Sequence, residues 1–484
     1  MSLAELVASL RAVLPCDAVL HEIEDLRPYE CDGLSAYRQL PMAVALPQDE
    51  AEVAAVLRIC HARKIPVVAR GAGTGLSGGA LPHEQGVLLS LARLKRILEV
   101  DPIARTARVQ PGVRNLAISE AVAPYGLHYA PDPSSQIACS IGGNVAENSG
   151  GVHCLKYGLT VHNILGLRVL TMTGAILEVG GACLDSPGYD LLALMTGSEG
   201  MLGVVTEVTV KLIPRPECAR VAMAAFDDIR KAADAVASVI GAGIIPAGME
   251  MMDGVAARAV EAYAHAGYDL TAAAILLCEA DGAAEEVEDE MHRVERIMQM
   301  SGAVDVRLSG SEAERLRFWA GRKAAFPAAG RISPDYYCMD GTIPRNRLAE
   351  VLGGIEALSA EYGLRCMNVF HAGDGNLHPL ILYDASRPGE LERTERFGAR
   401  ILEMCVRVGG TITGEHGVGI EKIDQMCAQF GPGELEAFHA VKAAFDPDAL
   451  LNPGKAVPTL RRCAEHGAMH VHGGTDRFPG LPRF

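Results

Sequence analysis

The sequence lacks several features that would each point to a particular class of protein. Its longest stretch without charge is about 15 residues and contains Pro246, which is short for a membrane span. Basic residues are outnumbered by acidic ones, and the formal net charge is −16. This argues against a surface that binds nucleic acid, because such a surface needs basic patches to neutralise phosphates. The 13 cysteines show no paired spacing, so we predict reduced thiols.

The N-terminus lacks the apolar core of a secretory signal, because acidic residues occur from Glu5 onward. We therefore expect a cytoplasmic protein, and any association with a membrane would go through a partner.

The chain does have the length and composition of a multidomain globular protein. It has 484 residues, of which 49% are hydrophobic and 21% charged. Residues 46–216 alternate short strands with helices and are dense in glycine. Residues 217–430 alternate strands with long helices, which predicts an antiparallel sheet with helices on one face. The fold class is therefore α+β, with a helical segment at 1–45 and a C-terminal helix and tail at 431–484.

Three glycine-rich loops dominate the first large domain. They are "RGAGTGLSGG" from Arg70, "PDPSSQIACSIGGNVAENSGG" from Pro131 and "GSEGMLGVV" from Gly197. Such loops let the backbone wrap an anionic ligand, although the first one lacks the following helix of a dinucleotide-binding crossover. A wide structural turn would explain any one loop alone. Three on one domain favour an extended cofactor.

These loops resemble the FAD-binding domain of the vanillyl-alcohol oxidase and p-cresol methylhydroxylase (PCMH) type. The later motifs "HAGDGNLH", "TGEHGVG" and "LNPGK" narrow the resemblance to the D-2-hydroxyacid dehydrogenase branch. That branch includes D-lactate dehydrogenases and the FAD-linked subunits of glycolate oxidase complexes. The resemblance covers roughly residues 40–460. It implies a PCMH-type FAD-binding domain at 46–216 and a cap domain at 217–430 that carries a metal site.

The resemblance also implies which residues bind FAD, with the first loop at the pyrophosphate, the second at the flavin and the third along the nucleotide. The residues are Arg70, Gly71, Ala72, Gly73, Thr74, Gly75, Gly78, Gly79, Pro131, Asp132, Ser134, Ser135, Ile141, Gly142, Gly143, Asn144, Asn148, Gly150, Gly151, Glu199, Gly200, Gly203, Val204 and Asn452. Relatives with covalently held flavin carry a histidine in the first loop, where Thr74 stands here. We therefore expect non-covalent FAD.

"HAGDGNLH" predicts half of a metal site. If Asp374-Gly375 forms a two-residue hairpin turn, His371 pairs directly with His378, and Gly373 lies opposite Asn376. Two histidines on a strand are often structural, so a third ligand is needed. The glycine-flanked Glu415 is the best donor, and the resemblance implies the same three ligands: His371, His378 and Glu415. This set suits zinc, with iron or manganese as alternatives.

The remaining roles follow from the chemistry of a 2-hydroxyacid. A metal can chelate its carboxylate and hydroxyl, and His416 can then accept the hydroxyl proton while a hydride passes from C2 to flavin N5. The family resemblance implies that Arg322 holds the substrate carboxylate, and Lys323 is the weaker candidate for this role. Alternatively, Arg322 is an ordinary surface residue of a helix. Asn376 could orient the substrate oxygen, and Asn452 is expected to close over the flavin.

Cys338 bears on the substrate. It occupies the place of a lysine found in the hydroxyglutarate enzymes of the branch, so a small monocarboxylate such as glycolate or D-lactate is expected. A D-2-hydroxyglutarate dehydrogenase and a non-catalytic FAD-binding assembly subunit are the alternatives.

The chain has no iron–sulfur cysteine run. Electrons must therefore leave to oxygen, a quinone, a soluble acceptor or another protein. The resemblance implies flavin-like and iron–sulfur partner subunits.

A further soft-metal cluster could form in the tail, from Cys463, His466, His470 and His472. A surface or partner contact is the alternative there.

Overall fold

The computed structural model describes residues 2–182 and 187–459. The predicted tail cluster at 463–472 lies outside these residues. None of the described helices is both long and apolar enough to cross a membrane. Ten of the cysteines, from Cys16 to Cys405, carry free thiols.

The first part of the chain, up to Pro214, contains eleven of the described strands and seven of the described helices. The strands are β1 (Val19–Leu20), β2 (Ala43–Ala45), β3 (Val67–Arg70), β4 (Val87–Ser90), β5 (Ile97–Asp101), β6 (Thr106–Val109), β7 (Leu127–His128), β8 (Ile164–Leu170), β9 (Ile176–Gly180), β10 (Val204–Lys211) and β11 (Ile213–Pro214). The helices are α1 (Leu3–Arg11), α2 (Ile23–Leu26), α3 (Glu50–Ala62), α4 (Asn115–Val122), α5 (Ile141–Glu147), α6 (Cys154–Tyr157) and α7 (Leu191–Met195).

Two sheets organise this part. The first has the order β1-β2-β4-β3, with β4 parallel to both β2 and β3. The second is antiparallel, with the order β5-β6-β10-β8-β9, and β7 pairs separately with β11. Along the chain, the glycine-rich loops follow β3, flank α5 and precede β10.

The second part is the cap. Its strands are β12 (Cys218–Phe226), β13 (Gly248–Asp253), β14 (Ala274–Gly282), β15 (Asp305–Leu308), β16 (Asp335–Cys338), β17 (Cys366–His371) and β18 (Asn376–Tyr383). Its helices are α8 (Ile229–Gly241), α9 (Gly254–Ala264), α10 (Ala284–Met300), α11 (Glu312–Lys323), α12 (Ala325–Ala329), α13 (Leu348–Tyr362), α14 (Glu390–Arg407), α15 (Met426–Gln429) and α16 (Pro432–Phe445).

The cap strands form one antiparallel sheet with the order β15-β12-β14-β13-β17-β18-β16. The long helices α8, α10, α13 and α14 pack on one face, as predicted. The prediction of a single covered face is wrong, however, because α9, α11 and α12 pack on the other. The reason lies in strands inside the sheet. Every residue of β13 and β18 is buried, so helices must pack against both faces of the sheet.

The chain ends by returning to the first sheet. The backbone N–H of Val67 donates to the carbonyl of Leu450 at 2.8 Å, and the N–H of Asn452 donates to the carbonyl of Val67 at 2.8 Å. The buried ammonium of Lys442 in α16 donates to the carbonyls of Met201 and Leu451, both at 2.7 Å. These contacts join the C-terminal segment to the first part of the chain.

Candidate active site

A cavity of about 420 Å³ lies between the glycine-rich loops and the cap. This volume falls within the range of about 300–1,000 Å³ that is usual for ligand pockets. Sixteen of the residues predicted to bind FAD line it: Arg70, Gly71, Ala72, Gly73, Thr74, Gly75, Gly79, Ser134, Ser135, Gly142, Gly143, Asn144, Glu199, Gly200, Gly203 and Val204. The residues that the cap contributes to the lining include His378, Glu415 and His416.

The loops are packed so closely that only glycine fits at several positions. A Cβ added at Gly71 would lie 2.1 Å from Oγ of Ser140, so the first and second loops touch there. Ser140 Oγ and Glu147 Oε2 face this region and have no hydrogen-bond partner among the described atoms. Unpartnered polar atoms lining a cavity fit a polar ligand.

Eight residues predicted to bind FAD do not line the cavity within the described part of the chain: Gly78, Pro131, Asp132, Ile141, Asn148, Gly150, Gly151 and Asn452. Several of them support the loops instead. Asp132 accepts a hydrogen bond from Nδ1 of His153 at 2.8 Å. Asn148 accepts one from the N–H of Val161 at 2.9 Å.

Asn452 does not close over the cavity but joins two of its loops. Its side-chain amide donates to the carbonyls of Gly79 at 3.0 Å and of Glu199 at 2.7 Å. Asn452 therefore holds the first and third glycine-rich loops together.

The hairpin of β17 and β18 brings the two histidines together, but in another register from the one predicted. His371 pairs with Asn376, and Val369 pairs with His378. The predicted direct pairing of His371 with His378 is therefore wrong. The turn contains four residues rather than two, because the N–H of Gly375 donates to the carbonyl of His371. His371 and His378 are diagonal neighbours on one face, with ring centroids 4.9 Å apart.

The predicted place of Gly373 opposite Asn376 is also wrong. A Cβ at Gly373 would instead lie 2.7 Å from the side chain of Leu155. The residue that leaves space beside Asn376 is Gly414, where a Cβ would lie 2.5 Å from Cγ of Asn376.

Glu415 meets both histidines. Its Oε1 atom lies 3.2 Å from Nε2 of His371 and 2.9 Å from Nε2 of His378. The Nδ1 atoms are engaged elsewhere, with Glu250 at 2.6 Å for His371 and the carbonyl of Met339 at 3.4 Å for His378. If each Nδ1 carries the proton, two nitrogen lone pairs face one carboxylate oxygen. A divalent cation could bridge such a set.

Burial alone would raise the pKa of Glu415, but His371 and His378 hold it well below its ordinary value. Burial would lower the pKa of His371, but the carboxylates of Glu250 and Glu415 raise it well above its ordinary value. The two groups thus stabilise opposite charges at close range.

His416 lies beside this group. Its ring stacks on that of His378 with centroids 4.9 Å apart, and its Nδ1 atom has no partner among the described atoms. Burial lowers the pKa of His416 to about 4, so the imidazole is neutral near pH 7 and can accept a proton. Asp340, His378, Glu415 and His416 also form a second group with metal-ligating atoms close together.

Sequence reasoning missed Asp340, which holds the loop that carries Glu415 and His416. One of its carboxylate oxygens accepts from the N–H of His416 at 2.9 Å and of Gly414 at 3.1 Å. Its negative charge is balanced by Lys422, whose Nζ lies 3.3 Å away. The only signal in the sequence was an acidic residue two positions after the strand "DYYC".

Arg322 is not among the residues that line the cavity. Its side chain is 2% exposed, and Nη2 lies 2.7 Å from Oε2 of Glu250. Its neighbour Lys323 lines the cavity, together with Phe326 and Tyr336. Of these two adjacent cations, the sequence favoured Arg322, whereas Lys323 is the one that lines the cavity.

The architecture and the cavity define a flavin-dependent oxidoreductase of the PCMH-type fold. One solved structure of similar fold is p-cresol methylhydroxylase with bound substrate, with a TM-score of 0.79 at 19% identity over 95% of this chain and 97% of that one. A family model for an FAD binding domain matches residues 41–180, and one for the C-terminal domain of FAD linked oxidases matches residues 215–456.

The chain belongs to the FAD-linked oxidases, in the group that contains glycolate oxidase subunit GlcD. It is 65% identical to that subunit from Escherichia coli (strain K12), over 98% of this chain and 95% of the relative. It is also 34% identical to a D-lactate dehydrogenase from Anaerostipes hadrus, over 84% of this chain and 87% of the relative.

Proposed function

We propose that this protein oxidises a small 2-hydroxyacid, glycolate or D-lactate, to the 2-oxoacid in a reaction that depends on FAD and a divalent metal ion. The observation that carries the proposal is the convergence of His371, His378 and Glu415, of which His378 and Glu415 line the cavity. A purely structural FAD-binding subunit would have no need of this group. The named relatives, a glycolate oxidase subunit and a D-lactate dehydrogenase, support the substrate class.

When bound, FAD would accept the hydrogen of the substrate carbon together with two electrons, as a hydride, and the metal would polarise the substrate oxygens. The residues of the three glycine-rich loops that line the cavity would hold FAD, and His371, His378 and Glu415 would hold the metal. Two imidazole nitrogens and one carboxylate oxygen suit zinc, with iron or manganese as alternatives.

The chain itself supplies proton transfer and orientation. His416 is neutral and has a free Nδ1, so it accepts the hydroxyl proton. Asn376 does not itself line the cavity, but its buried Oδ1 is unpartnered among the described atoms, and we propose that it orients the substrate. Lys323 lines the cavity and is the better placed cation for the substrate carboxylate.

Cys338 supports a monocarboxylate substrate. It is 3% exposed, and its Sγ lies close to the donor atoms of His378 and His416. Burial raises the pKa of its thiol well above the ordinary value, so this position carries no charge. Glycolate or D-lactate should therefore reduce the flavin faster than D-2-hydroxyglutarate.

The test is anaerobic mixing of the FAD-loaded, zinc-replete protein with glycolate or D-lactate, followed by flavin absorbance. We expect the flavin to bleach. His371→Ala should retain FAD and slow bleaching by about 100-fold or more, because a metal Lewis acid supplies several kcal/mol. His292→Ala, on the exposed face of α10, is the matched control. A wild-type flavin that no hydroxyacid bleaches, or unchanged bleaching in His371→Ala, would refute the proposal.

We also propose that FAD is held without a covalent bond, because Thr74 lines the cavity where the first loop of covalent relatives carries histidine. Acid precipitation should leave the yellow colour in the supernatant. Colour in the pellet would show a covalent link.

Electrons would leave to partner subunits, one flavin-like and one iron–sulfur. The name of the Escherichia coli relative as a subunit supports such an assembly.

A further inference from the structure

Glu250 is a buried carboxylate in the middle of the cap sheet. It lies in β13 directly across from His371 in β17, so both side chains project from the same face. Its side chain is 0% exposed. A carboxylate at such a position is costly unless charged or hydrogen-bonding partners surround it.

Two partners contact the carboxylate, one at each oxygen. Oε1 lies 2.6 Å from Nδ1 of His371, and Oε2 lies 2.7 Å from Nη2 of Arg322 in α11. The guanidinium offsets the charge of the carboxylate, and a cation bound at Nε2 would take the place of the second imidazole proton of His371. Because Glu250 is only an acceptor when ionised, it requires the proton of that imidazole on Nδ1.

A proton on Nδ1 leaves the lone pair of His371 on Nε2. That atom faces Oε1 of Glu415 at 3.2 Å, close to His378. The tautomer that Glu250 selects is thus the one that a metal ligand at Nε2 needs.

We propose that Glu250 is a positioning residue that fixes the tautomer and orientation of His371 for metal binding, with Arg322 as its counter-ion. This inference rests on the metal site of the proposed function. It also gives Arg322 a role that explains its burial away from the cavity.

The chain contains a matched control on the neighbouring strand. Glu279 in β14 is 2% exposed and also joins a histidine to an arginine, with His153 Nε2 at 3.1 Å and Arg315 Nη1 at 2.7 Å. It does not contact Glu415 or the histidines beside it. Glu250→Gln and Glu279→Gln are therefore the same substitution in the same sheet, and only one of them affects His371.

The experiment measures zinc affinity by competition with a chromogenic chelator, on FAD-loaded protein stripped of metal. Loss of an outer partner of a ligating histidine weakens metal binding by about 10- to 100-fold. We expect this loss in Glu250→Gln, with FAD retained, and wild-type zinc affinity in Glu279→Gln. Wild-type zinc affinity in a folded Glu250→Gln, or an equal loss in both variants, would overturn the role of Glu250.

A second variant covers the case in which Glu250→Gln does not fold because Arg322 is left buried and unpaired. The double variant Glu250→Gln/Arg322→Met removes both charges, and we again expect about 10- to 100-fold weaker zinc binding. Wild-type affinity in the double variant would overturn the inference.

The outcomes also separate this inference from the proposed function. If the wild type binds no divalent ion, the proposed metal site fails and the role of Glu250 fails with it. If the wild type and Glu250→Gln bind zinc equally and His371→Ala does not, the metal site stands and the role of Glu250 is refuted.

Discussion

At the scale of single residues, the geometry of the site depends on a glycine as well as on charged side chains. Gly414 precedes Glu415, and a Cβ at this position would overlap the amide of Asn376. The N–H of Gly414 is held by Asp340 at 3.1 Å, so the backbone there has little room to move. A side chain at 414 must therefore displace either Asn376 or the loop that carries Glu415 and His416.

Gly414→Ala should lower the rate of flavin reduction by hydroxyacid about 10- to 100-fold, since small misplacements of catalytic groups have effects of this size. FAD content should not change, because Gly414 does not line the cavity. The measurement is anaerobic stopped-flow absorbance. Gly353→Ala is the control, because a Cβ at Gly353 in α13 meets nothing within 4 Å. A Gly414→Ala rate within twofold of wild type would contradict the prediction.

Residue types were predicted better from the sequence than residue directions. His371, His378, Glu415 and His416 are polar residues on glycine-flanked segments, and they do come together. Arg322 and Lys323 are adjacent in a helix, so they project in different directions, and sequence alone does not say which one faces the cavity. The direction of Arg322 is set by Glu250, which lies in β13 of the cap sheet, about 70 residues earlier in the chain.

At the scale of elements, the turn between β17 and β18 determines where the two histidines lie. Gly375 has φ +84°, and a Cβ there would lie 2.2 Å from the carbonyl oxygen of Ile343. The side chain of Asp374 accepts a hydrogen bond from the N–H of Asn376 at 3.0 Å. The turn is thus fixed both by its own residues and by the segment after β16.

Gly375→Ala should lower the free energy of unfolding by more than 2 kcal/mol, roughly the sum of a left-handed alanine and a steric overlap. Zinc affinity should fall with it, since the turn sets the positions of both histidines. Urea unfolding and chelator competition measure the two effects.

Gly363→Ala is the matched control, because Gly363 ends α13 with φ +61° and a Cβ there meets nothing within 4 Å. It should lose only about 1 kcal/mol, from backbone strain. Equal losses in the two variants would show that the contact with Ile343 has no effect.

The hairpin also shows why a register is difficult to predict. Asp-Gly between apolar residues is a strong signal for a two-residue turn. In this chain Ala372 and Gly373 leave the ladder as well, because the N–H of Gly373 donates to the carbonyl of Met249. The length of the turn is therefore set by a hydrogen bond to β13. The sequence of the hairpin itself does not predict this bond. The two histidines still lie on the same face of the hairpin, as predicted. The predicted and observed registers differ by two residues, which is the side-chain period of a strand.

At the scale of the whole molecule, a histidine joins the FAD-binding domain to the cap. His153 lies 2.8 Å from Asp132 in the second glycine-rich loop and 3.1 Å from Glu279 in the cap sheet. Burial would lower the pKa of His153, but these carboxylates raise it well above its ordinary value. The contact between the two parts is therefore strongest while His153 is protonated.

The stability of the protein should depend on pH through this residue. Because the folded pKa of His153 lies above the unfolded value, its contribution is complete below about pH 6.5 and is lost as pH rises through the folded value. His153→Gln should lower the free energy of unfolding by about 1–3 kcal/mol at pH 6 and by progressively less at higher pH. Urea unfolding across pH measures the difference. A constant difference at all pH values would refute it, and His292→Gln serves as the control.

The return of residues 446–455 to the first sheet has a consequence for synthesis on the ribosome. Domains generally fold as units from the N-terminus while the chain is being made. Here the first and third glycine-rich loops are joined by Asn452, and β3 gains its last neighbour from Leu450 and Leu451. The flavin-binding domain therefore begins to form early but is completed only after the entire cap has been translated.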